Sequence, residues 1–185
     1  TSEGHDLEAI SRLETKFQDL NKKFDEMYVS ELSINKSDIK DLNPFHWILH
    51  FYEVFKSKDC GFDVILGNPP WGTKVLDDRE KRILKKLGFR NTVDIAGAFV
   101  QREIDLLKNG GYFAQILPDS IIPNSDMSTV RDLILEHFNA FYFAYFGTRP
   151  GKLFEGIEKR AAIGFGKKEI INTFSSDKPN LTNPR

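Results

Sequence analysis

Cysteine is almost missing from this chain: Cys60 is the only one in 185 residues. That excludes an internal disulfide framework and any cysteine-rich metal site. A basic excess is missing as well, because 26 Lys and Arg stand against 27 Asp and Glu, for a formal net charge of −1. Phosphate contacts need clustered cations, so a free-standing nucleic-acid-binding module is usually clearly basic. If nucleic acid is the partner, much of the grip comes from elsewhere. No apolar run approaches the ~18 residues of a membrane span. Thr1 to Asp6 has neither the basic start nor the apolar stretch of a secretory signal. The expected setting is reducing and cytoplasmic. Glycine is scarce at the amino end, where Gly4 is the only one up to Asn43. What is present, 40% hydrophobic and 29% charged residues, suits a globular domain with a real core.

Hydrophobic spacing divides the chain. Leu7, Ile10, Leu13, Phe17, Leu20, Phe24 and Met27 recur three or four apart, one stripe of an amphipathic helix from Asp6 to about Met27 that needs a covering partner. A polar connector follows to Asn43. Phe45 to Phe55 is rich in aromatics, and Phe62-Asp63-Val64-Ile65-Leu66 is a short strand, stopped by Gly67 and two prolines. A helix is expected from about Asp77 to Leu87, ended by Gly88, and another from about Asp94 to Lys108. Asn109-Gly110-Gly111 reads as a turn, followed by a strand over Tyr112 to Leu117. A helix from about Met127 to His137, an aromatic strand from Phe138 to Phe146, a turn region from Gly147 to Lys152 and a strand from Ala161 to Gly166 complete the pattern. Strands alternating with helices predict an α/β domain with parallel pairing in its middle and the last two strands antiparallel. After Lys168 the chain reads as a polar tail or linker.

The chemistry concentrates at Asn68-Pro69-Pro70-Trp71. Open α/β sheets gather their ligands at the carboxyl ends of strands, where this tetrapeptide falls. The prolines fix two backbone angles and remove two N–H donors. The loop is left stiff and rich in acceptors, chiefly the Asn68 side-chain oxygen and the Pro69 carbonyl, with the Trp71 ring beside them. A flat heterocycle bearing an amine fits: its two hydrogens go to the two oxygens and its ring stacks on the indole. An exocyclic amine is a poor nucleophile because its lone pair is spread into the ring. Two acceptors help to localise that pair and aim it at an electrophilic methyl group, so positioning and charge stabilisation supply the catalysis.

The residues from Gly61 to Gly72 resemble the catalytic motif of N6-adenine DNA methyltransferases of restriction-modification systems, above all the single-chain type IIG enzymes with the NPPY or NPPW form. Pro44 to Phe55, Asp94 to Phe99, Leu106 to Tyr112, Ile116 to Pro118 and Leu153 to Gly156 look like that family's neighbouring motifs in the same order, so the resemblance covers about residues 44–168. It implies a partial Rossmann-like sheet, the catalytic half of an S-adenosylmethionine-dependent methyltransferase, at 44–168. A helical segment and connector would occupy 1–43 and a tail 169–185. It also implies roles. Asn68 and Pro69 would hold the amine, Trp71 would stack on the target base, and Phe154 would pack against that base from another side. Phe99 would line the cofactor's adenine pocket and Pro70 would sit near the transferring methyl. The target adenine would have to leave its duplex, since its amine is buried in base pairing. Arg149 and Lys152 are candidate contacts to the DNA backbone. The setting implied is a prokaryotic restriction-modification or phage-defence system.

One departure stands out. Such enzymes bind S-adenosylmethionine through a glycine-rich loop ahead of the catalytic motif, and nothing in Thr1 to Asn43 resembles it. A downstream target-recognition region is not visible either. The expectation is a fragment of a larger enzyme that alone neither methylates DNA nor binds the cofactor tightly. Plainer readings stand beside these roles: core packing for Phe99, Phe154, His46 and Trp47, helix capping for Asp94, and a solvated face for Lys81, Arg82, Lys85 and Lys86. Asp119 is a further candidate to contact cofactor or substrate. No metal site is readable. The competing functions are methyl transfer to an RNA amine or protein amide, and a non-catalytic module of the same fold used for assembly or DNA binding.

Overall fold

A computed structural model of the chain describes residues 2–38, 44–147, 153–154 and 160–169, with side chains from residue 8 onward. The chain divides into two compact units, Thr1–Cys60 with Arg82–Gly88, and Gly61–Lys81 with Phe89–Arg185.

In the first unit the expected amphipathic helix forms and outruns both of its predicted ends, as α1, Ser2–Leu32. Its stripe is used unevenly. Phe17 meets His50 edge-on at 5.0 Å, and Phe24 and Tyr28 flank His46 at 5.2 and 5.5 Å. Leu13, Ile10 and Met27 stay more than half exposed. The aromatic segment folds as two single turns, α2 (Trp47–His50) and α3 (Tyr52–Phe55). His46 is buried and its Nε2 lies 2.8 Å from Asp25 Oδ1, so it serves packing and one hydrogen bond. Ile83 and Leu87 of the returning segment pack with Ile34, Tyr28, Val29 and Leu32.

The second unit is α/β, as the strand–helix alternation predicts, with the partial Rossmann-like sheet that the resemblance implies. Strand β1 (Phe62–Gly67) pairs in parallel with β2 (Leu107–Pro118), and β4 (Ala161–Lys167) runs antiparallel between β2 and β3 (Phe141–Phe146). The order across the sheet is β1-β2-β4-β3. Helix α4 (Asp78–Lys86) starts at a reciprocal box: Glu80 N–H donates to Asp77 Oδ1 at 2.7 Å and Asp77 N–H to Glu80 Oε2 at 2.8 Å. It ends where Gly88, at a φ of 83°, turns the chain. Helices α5 (Ile95–Leu106) and α6 (Ser128–His137) lie on one face of the sheet. There Val100, Ile104, Val130, Leu133 and Ile134 close over Phe113 and Leu117, which are 1% and 0% exposed. Side chains alternate across a strand, so the register puts Phe113 and Leu117 on the covered face with Ile65, Phe141 and Phe143. Val64, Leu66, Tyr112, Tyr142 and Phe165 fall on the other face and are 44–72% exposed.

One local expectation is corrected. Asn109-Gly110-Gly111 is not a turn but part of β2, which begins at Leu107, and α5 stops at Leu106 rather than Lys108. The reason is long-range pairing: Gly110 N–H donates to Lys168 C=O at 2.7 Å and Lys168 N–H to Gly111 C=O at 2.8 Å. The Lys168 ammonium also reaches the Ile104 and Leu107 carbonyls at the end of α5. Gly110 takes a φ of 78° within the strand, which glycine tolerates, so a turn-like tripeptide becomes an irregular strand start. The aromatic strand likewise begins at Phe141, because Phe138 is buried as the cap residue of α6. Among the described residues no helix is long and apolar enough to cross a membrane, and no cluster of His, Cys, Asp and Glu could hold a metal ion.

Candidate active site

The sheet topology decides where chemistry can gather. Because β4 alone runs in reverse, the carboxyl ends of β1, β2 and β3 and the start of β4 share one edge. Asn68 leaves β1 there, Asp119 leaves β2, and Phe154 precedes β4. Asn68 and Pro70 are exposed, Pro69 is buried and Trp71 is half-buried. The stiff loop therefore offers the asparagine amide outward. The Trp71 ring is held by its own N–H, which donates to the Ile116 carbonyl of β2 at 3.2 Å. Its faces, and not its donor, are what remain for a ligand.

The loop is braced beyond Trp71. Gly72 N–H donates to Asp94 Oδ1 at 3.1 Å, and that oxygen also accepts from Ala96 N–H at 2.9 Å, capping α5. Asp94 is thus a helix cap, as its position suggests, but one that reaches a second segment. Its own backbone is set by Asn91, 2% exposed, whose Oδ1 accepts from the N–H groups of Val93 and Asp94 at 3.1 Å each. The Asn91 amide then donates to the Asp126 carbonyl at 2.7 Å and to Thr129 Oγ1 at 3.3 Å. Gly97 is needed beside it, since a Cβ there would come within 2.7 Å of the Asn91 side chain and 2.9 Å of Val130. On β2 beside Gly67, Gln115 is 1% exposed, and neither end of its amide has a hydrogen-bond partner among the described residues. A Cβ at Gly67 would meet that amide at 2.7 Å, so a larger residue at the end of β1 would have to displace it.

The remaining candidates divide. Phe99 lies on α5 between buried Ala98 and Val100 yet is 40% exposed, so the core does not use its ring. Phe154 is half-buried. Arg149 and Lys152 lie outside the described residues. On α4, Arg82, Lys85 and Lys86 are exposed, and the Lys86 ammonium donates to the Ser33 carbonyl at 2.8 Å. Asp119 is half-buried, and its charge, after burial itself, helps to push the Tyr145 hydroxyl above its ordinary pKa. Burial raises the Glu103 carboxyl on α5 to about 7. Asn91, Gln115 and Tyr145 were not singled out from the sequence. Asn91 carried one local signal, an Asx-type residue three positions ahead of the residue that caps a helix. The other two carried none.

Residues 6–150 match the Eco57I restriction-modification methylase family. A protein of Methanocaldococcus jannaschii that carries the name type II restriction enzyme and methyltransferase is 42% identical over 96 residues, 51% of this chain and 8% of its own length. The type II methyltransferase M.BanIII of Aneurinibacillus aneurinilyticus is 27% identical over 150 residues, 80% of this chain and 25% of its own. The chain therefore spans a quarter or less of these relatives. Among solved structures, a Listeria monocytogenes protein placed with the class I S-adenosylmethionine-dependent methyltransferases superposes with a TM-score of 0.46 at 16% identity, over 64% of this chain and 35% of that one.

Proposed function

The chain belongs to the Eco57I restriction-modification methylase family, and from that membership we propose that it is the catalytic half of a DNA adenine methyltransferase. Its work would be to hold a flipped adenine while a methyl group passes to the exocyclic amine. The observation that carries this reading is the Asn68–Trp71 loop, in which an exposed asparagine, a proline-stiffened backbone and a tethered indole follow one another at the carboxyl end of β1. Asn68 and the Pro69 carbonyl would take the two amine hydrogens, and Trp71 and Phe154 would enclose the ring. The cost of unstacking the base, a few kcal/mol, would be offset by that enclosure. Arg149 and Lys152 would meet phosphate beside it.

S-adenosylmethionine, when bound, supplies the electrophilic methyl group. Exposed Pro70 and Phe99 fit one wall of its site. The rest does not fit the described residues, which have only helices ahead of β1 and no glycine-rich strand-to-helix turn. Further support for a missing half comes from the sheet: among the described residues β1 has a strand on one side only, and Val64 and Leu66 are 49% and 72% exposed. Parallel strands are normally covered on both faces. The cofactor half would therefore come from another segment or chain, and this chain alone would neither methylate DNA nor bind the cofactor at micromolar concentration in a calorimeter.

Mass spectrometry of genomic DNA tests the assignment in cells carrying the intact gene. N6-methyladenine should be present with Asn68 and fall by about a hundredfold or more with Asn68→Ala, if two aligned acceptors carry the step. Equal methylation in both would remove Asn68 from the chemistry. A second reading, a non-catalytic module of this fold used for assembly or DNA binding, draws on the same lack of a cofactor turn. It predicts no methylated base with either gene.

A further inference from the structure

Capping α5 needs one bond from Asp94, and Ser, Thr or Asn at that position would make it as well. The same oxygen does more, accepting from Gly72 N–H, 22 residues earlier in the chain. Gly72 follows Trp71 directly, at a φ of 133° that favours glycine. Its carbonyl accepts in turn from Ile95 N–H at 3.4 Å. Residue 72 is thus clasped on both its donor and its acceptor by the first residues of α5, and Asn91 holds the backbone of Asp94 in place.

We propose that Asp94 is a positioning residue for the base-binding loop, acting through Gly72. The inference rests on the reading of Asn68–Trp71 as that loop. The near end of the loop is continuous with β1, and its middle is pinned where the indole meets Ile116. Without the clasp the far end has no described anchor before Asp77, where the α4 box begins. With it, Asn68, Pro69 and Trp71 lie in a segment fixed at both ends, and the helix that fixes it also carries Phe99. The two walls proposed for base and cofactor become one body. Placement errors of about 1 Å are enough to lower a rate by orders of magnitude, which is the use of such a brace.

Two variants separate the brace from the cap. Asp94→Asn keeps an oxygen in the same place. Asp94→Ser keeps a capping oxygen but is one bond shorter and falls back from Gly72. In the ¹⁵N-labelled full chain, D94S should speed Gly72 amide exchange about tenfold or more while Ala96 stays protected, the size expected for losing one hydrogen bond to a carboxylate. Titration with 2′-deoxyadenosine, followed at the Trp71 indole N–H and the Asn68 side-chain amide, should need about fivefold or more nucleoside in D94S. D94N should stay within about twofold of the unaltered chain on both readouts. If Gly72 stays protected in D94S, or is freed with no change in nucleoside affinity, Asp94 is only a cap. If D94S loosens Ala96 too, failure of D94N to restore both readouts likewise refutes the role. No saturable shift at Asn68 or Trp71 in the unaltered chain overturns the base-binding assignment itself, and the positioning role with it. That outcome is separable because Gly72 exchange is read without nucleoside.

Discussion

The two faces of the four-stranded sheet are finished to different degrees. On one, Phe113 and Leu117 are sealed beneath Val100 of α5 and Val130 of α6, with Phe138 packed edge-on and Phe141 tilted against Phe113. On the other, Leu66, Tyr142, Tyr112, Val64 and Phe165 keep between 44% and 72% of their surface. Both sets of residues are equally suited to a strand. What differs, among the described residues of this unit, is whether a helix covers them, and the start of α5 also clasps the end of the Asn68–Trp71 loop at Gly72. The closed face thus carries the helix whose cap, Asp94, clasps the residue after Trp71.

The largest expected effect measures that contrast directly. Phe113→Ala should destabilise the fold by about 3–5 kcal/mol in denaturant unfolding, because it leaves a cavity in the closed face. Leu66→Ser on the open face should change stability by less than about 0.5 kcal/mol. A large loss at Leu66 would mean that the open face is already covered in solution. Next in size is Asn91→Ala, expected to cost about 2 kcal/mol, since two N–H groups, one carbonyl and a threonine hydroxyl lose a buried partner together. A loss no larger than that of a surface substitution would show that the 91–94 turn holds itself.

The smallest effect is one of pH. Burial lifts Glu103 from the ordinary 4.5 to about 7, so between those values the unfolded chain is ionised at this site and the folded chain keeps its proton. Folding then takes up a proton, and stability falls as pH rises through that window, fully present below it and lost above. Glu103→Gln should flatten the slope between about pH 4.5 and 7 in a series of thermal midpoints. A slope unchanged by the substitution would assign it to other groups.

Much of the second unit was legible because its signals are local. The β1 run is closed by Gly67 and two prolines, and Asp94 opens α5. The exposed placement of Asn68 followed from a strand that ends in a stiff loop. The misreadings are equally physical. Asn109-Gly110-Gly111 carries turn chemistry, yet its backbone pairs with Lys168, nearly sixty residues away, and no local rule sees that partner. The stripe on α1 was visible, but not that Phe17 and Phe24 would find histidine rings while Leu13 stayed exposed. Gln115 fell within the expected strand from Tyr112 to Leu117, and only the strand register shows it paired beside Gly67.

By itself the sequence determined the chemical kit: an asparagine, two prolines and a tryptophan in succession, stiffened by ring closure and backbone geometry that travel with those residues anywhere. Tertiary structure alone decided how that kit is held. The indole's bond to Ile116, the clasp of Gly72 on Asp94 and the choice of which sheet face is closed all join segments far apart in the chain. Such contacts follow from the packing of whole elements, and no short stretch of residues contains the information that sets them.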